Sequence, residues 1–405
     1  MRKKLRENKT QFNFLFYLKI YLSFLGILGI YHLFYKHTGG LDSTMSEWMI
    51  NYRGGFTRRG LTGELFIFLA NKLEISLRFI IYLFQSLFYI LFLILTFYYL
   101  KKVKQINFVL LLIIFCPLFL IYHVAELEIL ARKEILLFSH FYIYLFILER
   151  NFRPIIPNLY LLLTLPIIGL IWEPVVFFTF FYLFCFIVNY FKNLKKIDWK
   201  LLIFHFPSYS IFLLVLYLVI TQDFSTTNEK EMCSYLKTSF NERCYMSLNY
   251  QDTSIYQNFN SLFRDIKPLH VFRYLMVLLI GFSPLIMLIN FSKFDIKNKK
   301  ITLSKIYFLL ALPIIVLYMM GLDWGRWTNI SYFYFVVTTI FLINTKKLKV
   351  NFKKLNIITK KYLKTKFFLI LFFIIFCFGW NTKTLYKGDI ASIPGYRVPY
   401  FFLKT

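Results

Sequence analysis

Long apolar stretches separated by short polar segments dominate the chain. Because a helix crossing a ~30 Å hydrocarbon core needs about 20 residues at ~1.5 Å each, these stretches indicate membrane-spanning helices. The pattern predicts an all-α, polytopic transmembrane helical bundle of about 11 spans, folded as a single transmembrane domain over residues 1–405. The predicted spans are 11–35, 75–100, 108–123, 135–148, 159–172, 175–191, 201–221, 269–291, 306–321, 329–344 and 367–380.

One further apolar stretch, residues 61–72, is too short to span a membrane. A short apolar helix beside a span is typical of the membrane interface, so we expect an interfacial helix there, within the outer segment 36–74. The first span is long and lacks a small-x-small cleavage site, which favours a retained anchor over a signal peptide. The other large outer segments are 222–268, the longest loop, and the C-terminal tail 381–405.

Composition agrees with this interpretation. The chain is 58% hydrophobic and 21% aromatic but only 17% charged, whereas a soluble domain carries about 25% charged residues. These values exclude a soluble enzyme and a disordered chain. In a soluble protein the net charge of +28 would suggest a nucleic-acid partner; in a membrane protein it indicates topology, so we expect membrane lipids and no nucleic acid.

Lysine and arginine distribute differently over the two sides. Loops on the side of the N-terminus hold 24 Lys and 4 Arg, and the opposite loops hold 8 of each. The excess predicts a cytoplasmic N-terminus and an external C-terminus. Arginine binds phosphate or carboxylate through two parallel hydrogen bonds, so we expect the chemistry on the outer face. The Lys-, Phe-, Ile- and Asn-rich composition indicates a bacterium with a low-GC genome, and hence its inner (plasma) membrane.

Two of the five cysteines, Cys233 and Cys244, lie in the longest outer loop. A close pair in an oxidising compartment predicts a disulfide. The alternative is two free thiols or metal ligands, but no nearby histidine supports zinc.

The first outer loop combines an acid, Asp42, with Arg53, Arg58, Arg59 and five glycines. Glycine lets the backbone approach a ligand closely, and arginine beside glycine suits a phosphate. The alternative is a tight turn whose arginines contact lipid headgroups.

Two further groups of charges follow the predicted third and fifth spans. Glu128, Arg132, Lys133 and Glu134 form the first group; Glu128 and Arg132 are four residues apart and on a helix would pair with each other. Glu173 stands alone between two apolar stretches. An acid at membrane depth usually faces a cavity or a partner, and the alternative is a turn at the surface.

A last group is Asp323, Trp324, Arg326 and Trp327, at the end of the predicted ninth span. Tryptophan rings suit stacking on sugar, although interfacial Trp and a local Asp–Arg pair explain the same residues. No nucleotide-binding, metalloprotease or serine-hydrolase motif is present. We therefore expect no cofactor; a divalent metal is compatible with these acids but nothing indicates one.

The layout resembles the C-type (GT-C) integral membrane glycosyltransferases and, more loosely, multispanning proteins of bacterial polysaccharide clusters. Asp42 after the first span and the helix 61–72 before the second carry the resemblance. It implies a loop acid that acts as base and a donor sugar on a polyprenyl phosphate. The acidic pair usual in that loop is not present, because Ser43 follows Asp42 and Glu47 is the next acid.

The leading hypothesis is thus an outer-face glycosyltransferase of cell-surface polysaccharide or glycolipid synthesis. Its partners are a lipid-linked sugar donor and a glycan or lipid acceptor. The catalytic candidates are Asp42, Glu128 and Glu173, and the substrate-binding candidates are Arg53, Arg58, Arg59, Arg132, Lys133, Glu134, Asp323, Trp324, Arg326 and Trp327. An O-antigen-type polymerase or ligase is the first alternative. A transporter or lipid-glycan flippase is the second, disfavoured because no internal repeat is visible.

Overall fold

The computed structural model describes residues 2–190, 199–222, 224–252, 255–294 and 302–387. Helix makes up 77% of the structure. The predicted all-α class is therefore confirmed.

Seventeen α-helices occur in the described residues. In chain order they are α1 (Arg2–Gly39), α2 (Ser43–Met49), α3 (Gly60–Leu73), α4 (Leu77–Leu100), α5 (Phe108–Ile114), α6 (Tyr122–Ala125), α7 (Glu134–Glu149), α8 (Ile155–Ile171), α9 (Thr179–Tyr190), α10 (Trp199–Thr221), α11 (Thr226–Phe240), α12 (Ile255–Asp265), α13 (Pro268–Asn290), α14 (Leu303–Met320), α15 (Trp324–Asn344), α16 (Phe352–Tyr362) and α17 (Lys366–Phe378). Short 3-10 helices cover Leu127–Ile129, Glu173–Phe178 and Met246–Tyr250. Two strands, β1 (Ser292–Phe294) and β2 (Leu348–Val350), pair antiparallel with Lys293 opposite Lys349.

Within the described residues, five helical segments are long and apolar enough to cross a membrane: Asn13–Gly39, Leu77–Leu100, Glu173–Tyr190, Pro268–Asn290 and Leu303–Met320. A sixth candidate is the pair His205–Thr221 and Thr226–Phe240, whose axes meet at 98°. The chain therefore has the helices of a membrane protein. The count of about 11 spans and the orientation of the termini stay predictions.

Two predicted segments illustrate how well apolar pattern translates into helix. The segment 61–72 becomes α3 with ends one residue outside the prediction, because Arg59 and Glu74 flank it in the left-handed conformation, with φ of 65° and 55°. The segment 108–123, in contrast, is not one helix: α5 ends at Ile114 and α6 begins only at Tyr122. Pro117 lies in the interruption, and proline disfavours helix both at its own position and at the residue before it.

The described helices gather into two compact units that interleave along the chain. The first unit comprises Met1–Ile27, Thr96–Leu127 and Phe259–Thr405; the second comprises Leu28–Leu95 and Glu128–Asn258. The expectation of a single transmembrane domain stays a prediction.

Helix α15 forms the core of the first unit, with every residue from Trp324 to Leu342 buried. Its polar side chains find partners inside the unit. Asn329 Nδ2 donates to the Leu118 carbonyl at 2.8 Å, and the Tyr332 hydroxyl donates to the Ile113 carbonyl at 3.1 Å. Buried polar groups held in this way fix the rotation of the helix about its axis and its position along that axis.

The second unit is built on the packing of α8 against α10 and on α7 and α9. Its buried ring systems include Trp48, Tyr144 and Trp172. Buried His140 is satisfied on both sides, since Nδ1 lies 2.8 Å from the Tyr182 hydroxyl and Nε2 lies 2.7 Å from Thr164 Oγ1. These contacts favour a structural role for His140.

Candidate functional site

A cluster of charged side chains lies in the second unit, and most of the predicted site residues belong to it. It begins at Asp42, which caps the N-terminus of α2. The Asp42 carboxylate accepts hydrogen bonds from the backbone N–H groups of Thr44 at 3.0 Å and Met45 at 3.2 Å. An oxygen of this carboxylate also forms an ion pair with Lys36 Nζ from the last turn of α1. The Asp42 side chain keeps 24% of its surface exposed, so this carboxylate is accessible from outside the protein.

Lys36 ties this capped loop to the segment before α7. Its Nζ also donates to Thr44 Oγ1 at 2.9 Å, and that hydroxyl donates to the Glu128 carbonyl at 3.2 Å. Gln85 Nε2 from α4 donates to the carbonyls of Thr44 at 3.2 Å and Ala131 at 3.3 Å. The loop that carries Asp42 is therefore held by side chains from α1 and α4.

Glu47 on α2 is the buried centre of the cluster. Its carboxylate is fully buried and accepts from Arg132 Nε at 2.6 Å and from Arg59 Nη1 at 3.1 Å. Trp48 beside it donates from Nε1 to the Ala131 carbonyl at 3.0 Å. Buried charges need partners, and here one carboxylate neutralises parts of two guanidinium groups.

Arg59 links Glu47 to Glu173. Its guanidinium meets Glu173 through two parallel bonds, Nε to Oε2 at 2.7 Å and Nη2 to Oε1 at 2.6 Å. The backbone of Arg59 is left-handed at the start of α3, and its carbonyl accepts from Lys133 Nζ at 2.5 Å. Glu173 is thus no isolated turn residue: it joins the loop before α3 to the 3-10 helix that precedes α9.

Burial dominates the electrostatics of this cluster. Burial lowers the pKa of Lys133 to about 7. The negative charge of Glu47 raises this pKa, and the positive charge of Arg59 lowers it further. Burial also lowers the pKa of the Arg58 guanidinium, which lies in the fields of Glu173, Arg59 and Asp252. The cationic charges are therefore held in a poorly hydrated region, where an added anion is attracted more strongly than in water.

The alternative in which Glu128 and Arg132 pair with each other on one helix does not hold in the described residues. Residues 127–129 form only a 3-10 turn and Ala131 has a φ of 48°, so the two side chains do not lie on one helix face. Arg132 instead reaches Glu47, 85 positions earlier in the chain. Glu134 is buried in the first turn of α7.

Arg53 lies apart from the buried pairs, on the surface of the same unit. Its Nη2 pairs with Glu64 at 2.9 Å, and its guanidinium lies 4.9 Å from the centre of the Tyr235 ring. Both members of the ion pair are about a third exposed or more, so water screens it.

Gly54 in the first loop and Gly63 on α3 both serve close packing. A side chain at Gly54 would place its Cβ 2.0 Å from the Asn228 carbonyl oxygen, and one at Gly63 would place it 2.0 Å from the Ile50 carbonyl oxygen. Asn228 Nδ2 also donates to the Gly54 carbonyl at 2.6 Å. The prediction that the five loop glycines cradle a phosphate stays a prediction; the contact with α11 accounts for Gly54, and the contact with the Ile50 backbone accounts for Gly63.

A disulfide joins Cys233 to Cys244 and closes the chain around the end of α11. Next to it, Glu242 forms a two-bond pair with Arg78, with Nε to Oε1 at 2.5 Å and Nη2 to Oε2 at 2.8 Å. Arg78 Nη1 in turn donates to the Gly40 carbonyl at 3.1 Å. The cross-linked loop is thereby connected to the backbone that precedes Asp42.

Asp323, Trp324, Arg326 and Trp327 belong to the first unit and form a separate arrangement. Arg326 Nη1 pairs with Asp323 Oδ2 at 3.2 Å, and the guanidinium lies 5.3 Å from the Trp327 ring centre. Both Trp rings are buried; Trp324 contacts the rings of Tyr274, Tyr318 and Tyr386. As described, these indoles pack against protein rather than offering an open face to a sugar.

The described part of the C-terminal tail packs on this same arrangement. Gly325 N donates to the Thr384 carbonyl at 3.0 Å, and Tyr386 N donates to the Leu322 carbonyl at 3.0 Å. A Cβ at Gly325 would lie 1.8 Å from the Lys383 carbonyl oxygen. The remaining tail, including Tyr396, Arg397 and Tyr400, lies outside the described residues.

Sequence reasoning missed Lys36, Glu47 and the Arg78–Glu242 pair as members of the cluster. One signal was available: Glu47 is the one charged residue of Ser43–Met49, and an acid that becomes buried requires a cation. One partner, Arg59, lies 12 positions away in the loop already singled out, whereas the other, Arg132, is 85 positions away and was not visible. Among the described residues no group of three or more His, Cys, Asp or Glu side chains is arranged to hold a metal ion.

No protein-family model matches the chain, and neither the curated proteins nor the solved structures include a significantly similar relative.

Proposed function

We propose that this protein is a membrane glycosyltransferase that takes a sugar from a polyprenyl-phosphate-linked donor. It acts on the outer face of a bacterial inner membrane, in the synthesis of a cell-surface polysaccharide or glycolipid. The observation that carries this proposal is the partly exposed Asp42 carboxylate, which is paired with Lys36 and caps the helix whose buried Glu47 pairs with Arg59 and Arg132.

The reaction needs both halves of this arrangement. The acceptor hydroxyl oxygen attacks the anomeric carbon, the bond from that carbon to the phosphate oxygen breaks, and its electron pair leaves with the lipid phosphate. A carboxylate is required to accept the hydroxyl proton, and cations are required to stabilise the charge that grows on the phosphate. Both kinds of group lie in the second unit.

In this proposal Asp42 is the base. Its two backbone N–H bonds and the ion pair with Lys36 hold the carboxylate in one position, with part of its surface open to an acceptor hydroxyl. Glu128 and Glu173 are the alternative bases. Glu173 is a weaker candidate than Asp42 because its side chain is 17% exposed, against 24% for Asp42, and a two-bond pair with Arg59 holds both of its oxygens.

Arg58 and Arg59 bind the donor phosphate. Arg59 now holds Glu173 in the two-bond geometry that a phosphate also accepts, so the donor replaces a Glu173 oxygen with a phosphate oxygen. Glu47 keeps Arg59 and Arg132 in place from the buried side. The substrate-binding roles predicted for Arg53, Lys133, Glu134 and the residues Asp323–Trp327 stay predictions outside this core.

The direct test is Asp42→Asn, which keeps the helix cap but removes the basic oxygen. In isolated membranes, which retain the endogenous acceptor, the wild type should transfer label from one of a panel of radiolabelled polyprenyl-phosphate hexoses. Asp42→Asn should lose this transfer while remaining at wild-type abundance in the membrane. Asp265→Asn is the matched control, since Asp265 is also a partly exposed aspartate paired with a lysine, Lys387 at 2.9 Å, and should transfer normally.

Other outcomes point to the other functions. Transfer that survives Asp42→Asn but is lost in Arg59→Gln would replace the base mechanism with the arginine-dominated chemistry of an O-antigen-type polymerase or ligase. Movement of the labelled lipid between leaflets without any transfer would indicate a flippase and contradict the proposal.

A further inference from the structure

The segment 345–366, between α15 and α17, holds nine lysines and no acidic residue. Four of these lysines lie on α16: Lys353, Lys354, Lys360 and Lys361. All four are exposed, and no described carboxylate lies within ion-pair distance of them. The outward charge of this helix is therefore not neutralised by an ion pair within the described part of the protein.

Ile357 occupies an unusual position among these lysines. It is 67% exposed, and its helical neighbours at three and four positions in both directions are the four lysines. One apolar side chain thus stands at the centre of a ring of four cations. A surface exposed only to water gives no reason for a β-branched apolar residue at that place.

The opposite face of α16 is already occupied. Leu355 is fully buried, and the helix packs on α5 within the first unit. The orientation of α16 is thereby set, with Ile357 and its lysines turned away from the protein. Tyr362, the last residue of the helix, is 75% exposed. Its ring adds apolar surface, and its hydroxyl adds a polar group, to the exposed part of α16.

Charge and shape together match one kind of surface. Anionic phospholipid headgroups attract lysines, and the long methylene stems of lysine lie along the acyl boundary while the ammonium groups stay at the phosphates. An apolar residue between such lysines enters the acyl boundary, as in helices that lie in the membrane interface.

We propose that the outward face of α16, centred on Ile357 and ringed by Lys353, Lys354, Lys360 and Lys361, binds the anionic phospholipid headgroups of the surrounding bilayer. The inserted Ile357 and the lysine ring act together, so that the helix rests in the headgroup layer only when that layer is negatively charged. This inference is independent of the proposed glycosyltransferase activity.

The test places an environment-sensitive fluorophore at Ile357→Cys in the full-length protein, reconstituted into lipid nanodiscs. Labelling is selective, because among the described residues the free cysteines, Cys116, Cys185 and Cys377, are buried; unlabelled wild type is the blank. Asn356→Cys is the matched control, one position and about 100° round the same helix. Two nanodisc preparations are compared. One contains phosphatidylglycerol and the other contains only phosphatidylcholine, and each includes a lipid-borne quencher.

In phosphatidylglycerol nanodiscs the label at position 357 should emit at shorter wavelength and be quenched by the lipid more strongly than the label at position 356. Both effects should be lost in phosphatidylcholine, in high salt, or when the four lysines are replaced by glutamine. Equal aqueous exposure of the two labels in every lipid would overturn the proposal. So would insertion of position 357 that is unaffected by lipid charge and by loss of the lysines.

Discussion

The buried Glu47 carboxylate offers the sharpest test of how the charged cluster is held together. Glu47→Gln removes one negative charge but keeps the size and the hydrogen-bonding shape of the side chain. Arg132, which is 6% exposed, then loses the carboxylate 2.6 Å away, while Arg59 keeps its second partner, Glu173. The variant therefore leaves essentially one buried guanidinium without its counter-charge.

The size of the effect follows from these distances. With an effective dielectric constant of ~20, unit charges separated by 2.6 Å and 3.1 Å attract each other by about 6 and about 5 kcal/mol. Much of this attraction offsets the cost of removing the charges from water. Removing one partner of a buried pair costs about 3–5 kcal/mol, because the remaining charge stays buried and unpaired. We expect the free energy of unfolding of Glu47→Gln to fall by that amount.

The measurement is the unfolding of the purified protein in mixed detergent and SDS micelles, followed by tryptophan fluorescence. Glu64→Gln is the matched control, because Glu64 makes a comparable contact with Arg53 at 2.9 Å but is 31% exposed. Exposed pairs contribute about 0–1 kcal/mol, so this variant should unfold close to wild type.

A double variant tests the stated cause. Arg132→Met in the Glu47→Gln background removes the unpaired charge and should recover part of the lost free energy of unfolding. If Glu47→Gln costs no more than Glu64→Gln, or if Arg132→Met makes the double variant less stable still, the account of a buried, charge-compensating centre is refuted.

Two further predictions concern the same unit. Gly54→Ala should lower the free energy of unfolding by about 1–3 kcal/mol, because the new Cβ would lie 2.0 Å from the Asn228 carbonyl oxygen and force α11 away from the first loop. Gly39→Ala is the control: nothing lies within 4 Å of the new Cβ, so thermal stability should be unchanged. Lys133 has a pKa of about 7 in the folded protein and an ordinary value of about 10.4 when unfolded, so the unfolded state binds more protons between these values. Wild type should thus gain stability relative to Lys133→Met as the pH rises from about 7 to about 10, with no relative change below about pH 7; unfolding midpoints measured across this range check the sign.

Local sequence signals determined those features that involve neighbouring residues. The apolar run 61–72 was enough to predict α3, because its flanking residues end the helix locally. The pair of Cys233 and Cys244 was predictable because the two residues are 11 positions apart in one loop, where a short chain keeps them close. Proline shows the limit of the same reasoning: the run 108–123 was apolar throughout, yet the chain leaves the helix at Ile114, ahead of Pro117.

Partner choice in the charged cluster depends on distant residues. Glu128 and Arg132 looked like a self-contained pair, but the left-handed Ala131 between them turns Arg132 towards Glu47. Glu173 had no cation near it in the chain, and its partner Arg59 lies 114 positions earlier. Asp323 and Arg326 did pair locally, because at the start of α15 three positions bring them onto the same side.

The sequence by itself determined that this protein is a helical membrane protein and that acids and arginines meet in the loop after its first span. Those properties follow from hydropathy, residue spacing and charge, which are read along the chain. The tertiary structure decided which acid is buried, which is exposed and which cation each one holds. A buried charge takes whichever partner the packing of distant helices brings within a few ångströms, and no local pattern encodes that distance.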